Sequence, residues 1–85
     1  MTRPSPDVIG RRLDDRFVVV NLRTNHIYEL NRTAAALWEL LEAETDRSQL
    51  APAMLERFDA DPDDVRREID ETLRTLADAG LVTAA

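Results

Sequence analysis

Apolar positions change their spacing at residue 31, and the change divides the chain. Before it, Phe17 to Leu30, FVVVNLRTNHIYEL, sets β-branched and aromatic residues in two short runs around the polar Arg23-Thr24-Asn25. Val, Ile, Tyr and Phe fit a pleated, half-buried surface, and the middle residues are turn formers, so a β-hairpin is expected. A hairpin alone is at best marginally stable in water and needs a further strand and a helical layer. Val8-Ile9 and Leu13 offer that strand, with Gly10 expected to weaken or bulge it and Asp14-Asp15 turning the chain into Phe17.

After Asn31, a good N-cap, Thr33 to Leu41 places Ala34, Leu37, Trp38 and Leu41 at helical spacing, a stripe that reads as core. A polar link follows from Glu42 to Asp46. Asp46 or Ser48 then caps a second helix with apolar Leu50, Met54, Leu55 and Phe58, which is expected to start or bend at Pro52. The next start is marked by Asp61 as N-cap, Pro62 in the first turn, and Asp63 and Asp64 favourable to the helix dipole. This third helix runs from Val65 to Ala79 with Val65, Ile69, Thr72, Leu73 and Leu76 on one stripe, and Gly80 stops it, with Leu81 packing back.

The elements predict an α+β fold: an N-terminal three-stranded antiparallel sheet followed by three helices, a winged helix-turn-helix-like order. Hairpin parity decides which face is core. An even-length turn puts Phe17 and Val19 with Tyr28 and Leu30, leaving Val18, Val20, Leu22 and Ile27 on the other face; a three-residue turn joins Val18, Val20 and Leu22 to Tyr28 and Leu30. Either way both faces carry apolar residues.

At 85 residues the chain is one domain, burying only ~60 to 65% of its unfolded surface, which leaves little room for a deep cleft. We divide it into a flexible arm over residues 1–6, a domain over 7–82 and a fraying tail over 83–85. No apolar h-region begins the chain and no run is long enough to span a bilayer, so no signal peptide and no membrane span are expected. The absence of cysteine excludes disulfides and thiolate zinc sites and allows a reducing cytoplasm, where we place the protein.

Net charge is −6, which argues against nucleic acid, because phosphate rewards a basic footprint. The third helix repeats the point: Asp63, Asp64, Glu68, Asp70, Glu71 and Asp78 outnumber Arg66, Arg67 and Arg74. A small winged-helix DNA-binding regulator is nevertheless the alternative reading. Catalysis finds little support, with His26 the single histidine, no cysteine and no serine in an elbow motif. The acidic run Asp59 to Asp64 lacks the central Gly and terminal Glu of a calcium loop, and there is no Gly-rich phosphate loop, so no metal and no cofactor are expected. What remains is the last strand, Asn25 to Leu30, an edge with neither proline nor lysine to protect it and hence a template for strand addition.

The hairpin followed by Tyr28-Glu29-Leu30-Asn31, then Thr33-Ala34, Leu37-Trp38, Leu40-Leu41, Leu76 and Ala79-Gly80-Leu81-Val82, resembles the PqqD family. These small proteins and domains recognise the leader segments of ribosomally made, post-translationally modified peptides. The resemblance implies a leader bound as an added strand along the third strand, against the third helix, and passed to a separate modifying enzyme or leader protease by a non-catalytic protein that is a monomer when free. A chain of this length looks like a stand-alone member, such as the leader-binding protein of a lasso peptide cluster. Carried onto this sequence, the expected peptide-binding residues are Asn25, His26, Ile27, Tyr28, Glu29 and Leu30 on the strand, and Arg66, Arg67, Asp70, Leu73, Arg74 and Ala77 on the helix. Many family members have glycine where Thr24-Asn25 and Ala43-Glu44 stand here.

Overall fold

The computed structural model describes residues 2–84. Its central sheet contains β2 (Val8–Leu13), β3 (Arg16–Asn21) and β4 (His26–Leu30), in that order and antiparallel. The helices α1 (Arg32–Glu42), α2 (Arg47–Arg57) and α3 (Pro62–Asp78) follow. The expected α+β order of three strands and then three helices is therefore present.

Both ends depart from expectation. β1 (Thr2–Pro4) pairs antiparallel with β5 (Val82–Ala84), joining the start and end of the chain in a separate two-stranded ribbon. The Ser5 N–H and hydroxyl donate to the carbonyls of Leu81 and Gly80, each at 3.0 Å. Residues 2–4 are thus not a free arm and 83–84 not a frayed tail; their partners lie about eighty residues away along the chain, beyond the reach of local patterning. Met1 and Ala85, which close the expected arm and tail, lie outside the described residues.

Asn21 pairs with His26, so four residues form the hairpin loop and the parity is even. Phe17 and Val19 are buried, and Tyr28 and Leu30 pack against the core from the same face. The turn is organised by Asn21, whose buried side-chain oxygen accepts from the backbone N–H of Arg23 at 3.0 Å and of Thr24 at 3.3 Å. Asn25 completes it with φ 62°, a left-handed conformation that asparagine tolerates better than most residues. The opposite face remains open, with Ile9, Leu22 and Ile27 among its exposed residues.

Gly10 does not bulge β2. The strand keeps unbroken register with β3 from Val8↔Asn21 to Leu13↔Arg16. Its small size matters for another reason: a Cβ at Gly10 would collide with Trp38 Nε1 and come within 3.0 Å of Phe17 Cζ. The glycine lets the sheet settle on the indole.

In α1, the Asn31 side chain accepts from the Ala34 N–H at 2.8 Å, the expected cap. The helix buries Ala35, Ala36, Leu37, Trp38 and Leu41, a wider face than the expected stripe, because it meets both the sheet and α2. Each large side chain so buried contributes about 1.5 to 3 kcal/mol. α2 passes through Pro52 without starting there; Asp46 stands at its cap position, with its carboxylate taken by the Ser48 hydroxyl at 2.8 Å. Asp61 caps α3 through the N–H groups of Asp63 and Asp64, with Pro62 opening the helix.

Both α1 and α3 end in a left-handed residue followed by a backbone bond five residues back. Leu81 N–H reaches the Leu76 carbonyl at 2.9 Å after Gly80 with φ 74°, and Thr45 N–H reaches Leu40 at 3.0 Å after Glu44 with φ 59°. The two departures from the family's glycines therefore fall where the backbone does adopt positive φ: at Asn25 and Glu44. At the end of α1 this places a glutamate in a conformation suited to glycine.

Candidate peptide-binding edge

The hairpin leaves β4 bonded on one side only. In an antiparallel pair successive residues alternate in the direction of their N–H and C=O groups, so every second residue of β4 points these groups away from β3. Proline and lysine are absent from the strand, and the terminal ribbon is a separate sheet that does not extend it. β2 is the sheet's other edge, and it carries Arg11 and Arg12.

The strand's side chains divide by face. Tyr28 and Leu30 lean on the core, and His26 meets the Tyr28 ring edge-on at 6.3 Å between centroids. Ile27, 69% exposed, and Glu29 lie on the open face, where Glu29 is 3.5 Å from the Arg16 guanidinium. Asn25 stands in the loop just before the strand. All six strand-side residues expected from the sequence are therefore contiguous at one edge.

The helix-side residues are not gathered there. Leu73 is 6% exposed and belongs to the core. Asp70 binds Arg47 of α2 at 2.6 Å, and with Arg66 it borders a hollow at the start of α2. Asp70, Leu73, Arg74 and Ala77 line a second hollow with Thr2, Arg47 and Val82, beside the terminal ribbon. Arg67 projects outward and pairs with Asp64 one turn earlier. The flank of α3 that carries Arg66, Asp70, Arg74 and Ala77 thus faces α2 and the chain ends.

The other flank of α3 borders a different hollow, of about 220 Å³, whose lining includes Thr33 and Leu37 of α1, Phe58, and Val65, Glu68 and Thr72 of α3. It adjoins the first turn of α1, immediately after β4 ends. Its walls are mostly apolar, with Glu68 and Asp59 at the rim, which suits apolar or aromatic side chains of a bound segment. Val65, Glu68 and Thr72, three and four residues apart, mark this second flank in the sequence, but nothing in their spacing indicates what packs beside it.

At the Leu30 end of β4 lies a hollow of about 600 Å³ between the sheet and helices α1 and α2. Arg12, Arg32 and Arg57 stand around it. Among the described residues there is no group of three or more metal-ligating side chains, and no helix is long and apolar enough to cross a membrane.

The sequence profile described as Coenzyme PQQ synthesis protein D (PqqD) matches residues 16–82. No curated protein matches the chain. Among solved structures, TbiB1 in complex with the TbiA(beta) leader peptide is similar at 25% identity, with a TM-score of 0.90 over 98% of this chain and 96% of that one. A lasso peptide synthetase B1 complexed with its leader peptide shares the fold, at 20% identity and a TM-score of 0.87 over 98% of each chain.

Proposed function

Because the chain belongs to the PqqD family, we propose that it binds the leader segment of a ribosomally made precursor peptide as an added strand on β4 and delivers it to a separate processing enzyme. The observation that carries this reading is the unpaired edge of β4; an apolar hollow opens at the first turn of α1, the element that follows the strand. Main-chain bonds from alternate residues of β4 hold the segment, and the hollow between α1 and α3 selects its side chains. The likeness to TbiB1 in complex with the TbiA(beta) leader peptide supports binding of a leader segment, and we take a leader protease as the enzyme served.

The role requires no catalytic group in this chain. Strand addition needs a rigid template, and β4 is held by β3 on one side and by the Tyr28 and Leu30 contacts to the core below. Of the expected helix-side residues, those on the Asp70 and Arg74 flank are replaced in this reading by Glu68 and Thr72.

Titration of the labelled protein with a synthetic leader segment tests the proposal by NMR. Backbone amides of residues 25–30 and of the Glu68 to Thr72 turn should shift together. Shifts confined to the terminal ribbon or to the start of α2 would overturn it.

A further inference from the structure

The sheet's helix-facing side is laid out in cross-strand rows. Val8, Asn21 and His26 form one, Gly10, Val19 and Tyr28 the next, and Arg12, Phe17 and Leu30 the third. If a peptide strand occupies the edge of β4, as proposed above, it adds a fourth member to each row. Directly opposed side chains stand about 4.5 to 5.5 Å apart at Cβ, so the peptide residue opposite Leu30 is directed where Arg12, Phe17 and Leu30 already point.

That place is the hollow at the end of the sheet, and its chemistry is unlike the rest of the molecule. Arg12, Arg32 and Arg57 converge on it in a chain whose net charge is −6. Two carboxylates share the space, Glu39 and Asp15. Glu39 is divided between two partners: its Oε1 lies 3.0 Å from Arg12 and 3.9 Å from Arg57. Arg32 has no carboxylate within ion-pair distance among the described residues.

Two of the guanidinium groups are also held in place. Arg12 lies over the Phe17 ring at 5.5 Å and Arg32 over the Phe58 ring at 5.4 Å. A guanidinium stacked on a ring keeps its in-plane N–H groups directed outward, ready for a planar carboxylate. The apolar floor of Phe17, Leu30 and Phe58 accommodates the methylene stem of such a side chain.

We propose that this hollow is a specificity site for an acidic residue of the bound peptide, the residue paired opposite Leu30, with Arg32 as its principal partner and Arg57 as the second. The protein thereby reads a carboxylate at one fixed end of the added strand. The inference rests on the strand-addition reading and adds a chemical preference to it.

Selection from a random dodecapeptide library on the immobilised full chain tests it. The peptides recovered should place Asp or Glu at one position at the same end of their apolar segment, and should shift the β4 amides. For the best binder, replacing that Glu by Gln should weaken binding to the wild type by about tenfold, the scale of one charge-assisted contact. Against Arg32→Gln, whose amide spectrum should otherwise match the wild type, the two peptides should bind alike. Binders that shift β4 without any acidic preference, or an Arg32→Gln protein that keeps the preference, would overturn the specificity site alone. Binders that leave β4 unshifted, or none recovered, would overturn strand addition and the site with it.

Discussion

The indole of Trp38 lies against Gly10 so closely that no side chain fits between helix and sheet there. Trp38 is wholly buried, and its Nε1 is without a hydrogen-bond partner. An orphaned donor costs on the order of 1 to 3 kcal/mol. The fold tolerates it because the ring fills the centre of the core that joins β2, β3 and α1.

Gly10→Ala should destabilise the domain by about 1 to 3 kcal/mol, the range for forcing extra volume into a packed core. Trp38→Phe frees the space that the new methyl needs and removes the orphaned donor. The double variant should therefore be more stable than the sum of the single losses predicts, with a coupling of about 1 kcal/mol or more in urea unfolding. Strict additivity would mean that the two residues do not share this contact.

Glu44 occupies the left-handed position after α1. That conformation costs an L-residue about 1 to 2 kcal/mol, while the added chain entropy of glycine returns about 0.5 to 1. Its carboxylate also sits at the negative end of the helix dipole. Glu44→Gly should stabilise by about 1 kcal/mol, a rise of roughly 4 to 8 °C in Tm. An unchanged or lower melting temperature would count against the strain.

Removing the Asn21 side chain withdraws the acceptor for two backbone N–H groups in the hairpin turn. Asn21→Ala should cost about 1 to 2 kcal/mol in chemical denaturation. Amide exchange should quicken first at residues 22–25, whose turn loses its organising group.

The two flanks of α3 make opposite forecasts for peptide binding. Thr72→Lys puts a long charged side chain beside the hollow next to α1 and should weaken a labelled leader segment about tenfold or more in fluorescence anisotropy. Arg74→Ala, on the flank facing the terminal ribbon, should leave affinity within about twofold. The reverse outcome would return the groove to the Asp70 and Arg74 side.

Local chemistry made much of this architecture legible. Asn31 and Asp61 cap helices because their side chains reach N–H groups two or three residues on, and Gly80 stops α3 because the positive φ belongs to that residue itself. The period-two and helical patterns likewise ordered the strands before the helices, and the unprotected edge strand could be read from its composition. None of these inferences needs knowledge of distant residues.

Tertiary structure decided the rest. The four-residue loop chose between two parities that the residues alone left open, and so placed Tyr28 and Leu30 on the core face. Gly10 looked like a weakness in a strand until Trp38, on another element, took the space above it. Residues 2–4 became a strand through pairing with residues 82–84. The helix side of the site depended on the rotation of α3 about its axis. Val65, Ile69, Leu73 and Leu76 point into the core, which leaves a flank on either side, and only packing against α1, α2 and the terminal ribbon determines which hollow each flank borders. A sequence determines the faces of a helix; the neighbours of each face follow from how the whole chain closes.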